Sequence, residues 1–175
     1  MPRIYFKSVL LACLYLANTK ATAQTEFPKE FIAHVRLHSG LATAPAAGPD
    51  LFVGGLQLVA QVTILPYQIR GGLAGGGFYT NNRIDGSLGP TVSLKIKEFK
   101  GGHFGSLGNL HLNLDHFWGT GSQRLAGGGL NLDLLNKLVV SITAHRDYRL
   151  TQWWVQSGIA FRISKVKQPK ETFPN

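Results

Sequence analysis

Apolar and polar residues alternate along most of this chain. In Gly108–Gly119, GNLHLNLDHFWG, the side chains of Leu110, Leu112 and Leu114 fall on one side of an extended backbone. Those of His111, Asn113 and Asp115 fall on the other. Eight segments carry this period: Phe31–Thr43, Leu51–Leu65, Gln68–Thr80, Leu88–Phe99, Asn109–Trp118, Arg124–Leu134, Leu138–Tyr148 and Trp153–Ile163. The breaks between them hold turn residues: APAAGPD, LPY, NNRIDG, FKGGHFGSLG, GTGSQ, LNK and RLT. No segment has a helical period. The pattern predicts an all-β fold, an eight-stranded antiparallel up-and-down barrel over residues 31–163, with strands long enough to cross a membrane at a tilt.

Two faces follow. The apolar one includes Val35, Leu37, Leu56, Leu58, Val62, Leu94, Leu112, Leu130, Ile142 and Ile159. The polar one includes His34, Arg36, His38, Gln57, Gln61, Arg70, Thr91, Ser93, Lys95, Lys97, Asn113, Asn131, Ser141, Thr143, Gln156 and Arg162. Alternation alone does not say which face is inside, because a soluble barrel shows the same pattern with the faces exchanged. The aromatics of the apolar face separate the two cases. With strands running up and down, Phe31, Tyr67 and Phe161 collect at one end and Phe52, Tyr79, Trp118, Tyr148 and Trp153 at the other. Aliphatic residues lie between. Two aromatic girdles around an aliphatic band suit a lipid–water boundary on each side. The expected arrangement is therefore transmembrane, with leucines toward lipid and polar residues in the lumen.

On this pattern the stretch from Phe31 to Ile163 resembles the small eight-stranded outer-membrane barrels of Gram-negative bacteria, the OmpA and OmpX type. The last segment, WWVQSGIAFRI, is similar to the aromatic-ended final strand that the outer-membrane assembly machinery reads in that class. The resemblance implies an outer-membrane location, with lipid, lipopolysaccharide and that machinery as partners. Barrels of this type often end at the terminal aromatic, whereas here the polar tail SKVKQPKETFPN (164–175) follows.

The chain's start agrees with export. MPRIYFKSVLLACLYLANTKATAQ has a basic beginning at Arg3 and Lys7, a short apolar core from Ser8 to Ala17 and small residues around ATA. It reads as a signal peptide over 1–23, cleaved after Ala23, followed by a short segment over 24–30. LLAC around Cys13 resembles a lipoprotein box, but Leu11 is bulky there and the apolar run continues past the cysteine. Cys13 is the only cysteine, so a chain cleaved after Ala23 has no disulfide and no cysteine-based metal site. Eighteen Lys and Arg stand against nine Asp and Glu. Without Arg3, Lys7 and Lys20 the balance is 15 against 9. An exported basic chain points to anionic lipid and not to nucleic acid. No apolar run long enough for a membrane helix follows the leader.

Candidate chemistry lies mainly on the polar face. Arg36, Arg70, Lys95, Lys97 and Arg162 are expected to reach Asp115, Asp133 and Asp147, with His145, as a network bracing the interior. Ser141, Thr143, His145 and Asp147 share that face and suggest nucleophilic catalysis, but any polar-lined barrel supplies these residue types, so bracing is the expectation. His34 and His38, four apart on a strand, are too distant to chelate one ion. No cofactor is expected. A lipid-trimming enzyme would place its groups on the outer surface, where His116 lies next to Trp118 without a serine partner. Eight strands leave a lumen that side chains fill, against a wide pore. The remaining alternative is a secreted lipocalin- or avidin-like barrel with leucines inward around a small apolar ligand.

Overall fold

The alternating segments become eight strands in the computed structural model, which describes residues 31–43, 50–66, 68–100, 106–134 and 137–164. They are β1 (Phe31–Ala42), β2 (Leu51–Leu65), β3 (Ile69–Thr80), β4 (Arg83–Lys100), β5 (Ser106–Gly119), β6 (Arg124–Leu134), β7 (Leu138–Asp147) and β8 (Gln152–Arg162). Each pairs antiparallel with the next, and β1 pairs with β8, so the sheet closes in sequence order. Closure leaves no strand edge unpaired. The proposed leader, the 24–30 segment and the tail beyond Ser164 lie outside the described residues, as does Tyr67.

The barrel has two distinct ends. The loop end carries the β1–β2, β3–β4, β5–β6 and β7–β8 connections. The terminal end carries the other three, together with the start of β1 and the finish of β8. Two features correct the sequence reading. First, β4 starts five residues earlier than Leu88. The β3–β4 connection is only Asn81 and Asn82, both in the left-handed region (φ 48° and 57°). That is the geometry of a two-residue type I′ hairpin, which asparagine tolerates. Arg83 to Ser87 therefore continue the ladder opposite Thr80 to Gly76. Second, the β4–β5 register shifts between Lys95 and Lys97. An extra residue reverses the parity beyond it. Lys97 consequently pairs with Leu110 on the outer face and is exposed, its ammonium 5.6 Å from the Phe99 ring centroid, and Glu98 takes the inward position opposite Asn109.

Curvature is set partly by inward glycines on β3. A Cβ added at Gly76 would collide with the carbonyl oxygen of Leu56 and lie 2.7 Å from Cα of Gln57. The backbones of β2 and β3 thus approach more closely than any side chain allows. Gly76→Ala is expected to destabilise the barrel by about 1–3 kcal/mol, the usual cost of overpacking. A urea titration of the refolded protein, followed by tryptophan fluorescence, checks this. An unchanged midpoint would show that the strands can separate freely there.

Candidate functional site

The lumen is layered. Its middle and terminal-end portion is polar, built by inward positions of all eight strands. Asn113 on β5, 1% exposed, is the hub. Its amide nitrogen donates to Thr91 Oγ1 (3.1 Å) and Asp115 Oδ1 (2.7 Å), and its Oδ1 accepts from Ser93 Oγ at 2.5 Å. Gln61 on β2 donates to Ser93 (2.8 Å) and Thr91 (3.3 Å). Asp115 then meets His145 Nε2 of β7 at 3.3 Å. Lower down, Asp133 of β6 lies 2.9 Å from His111 Nε2 and 4.0 Å from an Arg70 guanidinium nitrogen of β3. Arg36 of β1 donates to Gln57 Oε1 at 3.3 Å. Period two delivers these side chains inward, and closure brings the strands near enough for them to meet across the interior. Buried polar atoms joined in this way lock the cross-section.

Toward the loop end the lumen turns apolar. Val53, Phe78, Phe117, Leu125 and Trp154 form a buried cluster with Ala42, Val59 and Ala74. Phe78 and Trp154 meet edge to face, with centroids 5.1 Å apart and planes at 83°. To the polar, charge-braced lumen expected from the sequence the structure adds an aromatic layer toward the loop end. These residues were legible in one respect. Phe78–Tyr79, Phe117–Trp118 and Trp153–Trp154 are adjacent aromatic pairs, and neighbours in a strand must face opposite ways. One ring of each pair goes outward to the rim and the other inward. One cavity of about 20 Å³ lies within the polar portion, against Arg70, Asn113 and Asp133, and another of about 20 Å³ lies where that portion meets the aromatic layer, against Phe78, Phe117 and Trp154; Arg36 lines both. Each has room for about one water molecule.

The expected interior charges divide as follows. Arg70 and Asp133 pair directly, with His111 also on Asp133, and Asp115 comes together with His145. Arg36 and Asp115 belong to the same polar layer, but the bond Arg36 makes is to Gln57. Lys95 pairs instead with Glu98 at 3.1 Å, an acid that only the bulge turns inward. Arg162 Nε donates to Ser164 Oγ at 3.1 Å near the terminal end. Asp147 stands apart from the lumen network. Its Oδ1 accepts from the backbone N–H groups of Arg124, Arg149 and Leu150 at 3.3, 3.0 and 2.9 Å, so it caps the β7–β8 turn. Ser141, His145 and Asp147 are not assembled as a relay, because His145 faces Asp115 and Ser141 Oγ donates to the Gly158 carbonyl. Among the described residues no group of three His, Cys, Asp or Glu side chains is placed to hold a metal ion.

The outer face is the reverse of a soluble protein's surface. Following the register, Leu56, Leu37, Ile159, Val140, Leu132 and Leu110 form an unbroken row across β2, β1, β8, β7, β6 and β5. A second row joins Leu94, Leu112, Leu130 and Ile142. Many of these are largely exposed, Leu56 at 51% and Ile142 at 65%. Of the expected girdle residues, Phe52, Tyr79, Trp118, Tyr148 and Trp153 point outward at the loop end, and Phe31 and Phe161 point outward at the terminal end.

No protein-family model matches the chain, and no curated protein matches it. Among solved structures it is similar to a protein from the de novo design of transmembrane β-barrels, at 16% identity and a TM-score of 0.48, the alignment covering 75% of this chain and 95% of that one.

Proposed function

We propose that this chain is an integral outer-membrane β-barrel with both termini on the periplasmic side, a closed lumen, and a non-enzymatic structural or accessory role in the envelope. The observation that carries the reading is the inversion of polarity: a hydrogen-bonded polar interior inside a continuous belt of exposed aliphatic side chains. Soluble monomers rarely expose an apolar patch beyond a few hundred Å². A belt around a whole barrel needs an apolar solvent. Its height fits: Trp153 and Phe161 are separated by roughly 27 Å of strand, or about 20 Å along the barrel axis at a tilt near 40°, against an apolar band of about 25 Å in membrane barrels. A leader removed after Ala23, assembly through the final strand, and contact with lipid and lipopolysaccharide belong to the same proposal. The outward leucines oppose the alternative of a soluble barrel with an apolar ligand inside, and internal cavities of about 20 Å³ are far below the size of a ligand site.

Carbonate washing of membranes tests the location. The protein is expected to stay in the pellet until detergent is added, and release by carbonate alone would overturn the membrane reading. A closed lumen makes a second expectation. With Phe78, Phe117 and Trp154 filling one end and the Asn113 network the middle, the reconstituted barrel is expected to give no stable conductance in planar bilayers. Reproducible porin-sized steps would contradict it.

A further inference from the structure

On the outer face of β5–β8 at the loop end, cations and aromatic rings stand together. Two rungs of the ladder build the patch. The upper one is Trp118, Arg124 and Tyr148: Trp118 pairs with Arg124, and Tyr148 N–H donates to the Arg124 carbonyl at 3.1 Å. The lower one is His116, Ala126, Arg146 and Trp153, each paired with the next. The small Ala126 leaves room for His116 to reach over it, so that its Nε2 lies 3.1 Å from Tyr148 Oη. Arg146 lies over the Trp153 ring, 5.4 Å from its centroid. A guanidinium carries five N–H donors, so one held over a ring still has donors for the fork that fits a phosphate.

No carboxylate among the described residues makes an ion pair with Arg124, Arg146 or Arg149. Asp85 and Asp147, the buried carboxylates of this end, accept hydrogen bonds in the turns. Arg124 and Arg146 are diagonal neighbours on adjacent strands, about 7–8 Å apart at the backbone, so two long side chains can converge on one anion. A lipid-facing arginine is tolerated near the interface and costly deeper. Here it sits in the aromatic row, at the depth of a lipid headgroup.

We propose that this patch binds the phosphate of a phosphorylated glycolipid of the outer leaflet, with Arg124 and Arg146 on the phosphate and Trp118, Tyr148 and Trp153 against the sugar and acyl boundary. The proposal rests on the membrane reading and its orientation, and names the lipid that the loop end recognises. The test uses the full barrel in phosphatidylcholine nanodiscs carrying equal amounts of bisphosphorylated and dephosphorylated lipid A, with retained lipid counted by native mass spectrometry. The wild type is expected to favour the bisphosphorylated form by about tenfold or more, the scale of charge-assisted hydrogen bonds to a phosphate. R124Q/R146Q is expected to lose that preference, and K97Q/K137Q at the other end to keep it. Arg124→Gln alone, which removes no side-chain hydrogen bond or ion pair among the described residues, gives the same readout at reduced size should the double variant not fold. Equal retention of the two lipids by the wild type, or an unchanged preference in the arginine variants, would overturn the proposal. So would full displacement of the lipid by millimolar inorganic phosphate, which would identify a general anion site. A barrel that never enters the nanodisc would instead contradict the membrane reading itself.

Discussion

Ile142→Arg is expected to destabilise the folded protein in phospholipid vesicles by about 2–4 kcal/mol, the cost of a lipid-facing arginine near the bilayer midplane. Ile142 is near the middle of β7, 65% exposed, with Leu130 beside it on β6. In water the same change would be an exposed hydrophobic replaced by a charge, and such surface substitutions usually fall within about 0.5 kcal/mol. The sign and size of the effect therefore report the solvent around the barrel. Leu88→Arg provides the depth control. Leu88 pairs with Trp118 in the loop-end girdle, where the penalty falls to about 0–1 kcal/mol. Denaturant titration of vesicle-inserted protein measures both. Equal effects at the two positions would mean that no depth profile exists.

Trp154→Ala is expected to cost about 3–5 kcal/mol, as for other large aromatic truncations in packed interiors. Trp154 is 2% exposed and wedged against Phe78 in the apolar layer of the lumen. Its neighbour Trp153 points the opposite way and is 49% exposed. Trp153→Ala removes a girdle ring and the Arg146 stack, not interior packing, so its effect on unfolding is expected to be clearly smaller. The same titration compares the two variants. Equal losses would show that the inside–outside division of this aromatic pair is wrong.

The strands were legible because both faces repeat every second residue for ten or more positions. Once Leu110, Leu112 and Leu114 share a face, His111, Asn113 and Asp115 must share the other. The start of β4 was hidden by NNRIDG, whose composition reads as a long turn although only Asn81 and Asn82 make it. The outward position of Lys97 had no local signal either. A bulge is a relation between two strands, and β4 alone carries nothing that marks it. The reach of interior charges was also beyond the sequence: it assigns Asp147 to the polar face but cannot show that its carboxylate is taken up by two backbone N–H groups of the following turn and by that of Arg124 on β6. The aromatic layer is a different case. FY, FW and WW stand in the chain, and period two turns one ring of each pair out to the girdle and the other into the lumen.

On the proposed reading the leucine belt lies in hydrocarbon. A spin label at Leu130, flanked by Leu112 and Ile142, tests it most directly when compared with a label at Arg149 in the exposed β7–β8 turn. In vesicles the Leu130 label is expected to collide often with dissolved oxygen and rarely with a water-soluble nickel chelate. The Arg149 label is expected to show the reverse preference. A Leu130 label relaxed by the nickel chelate as readily as the Arg149 label would place the belt in water and contradict the account.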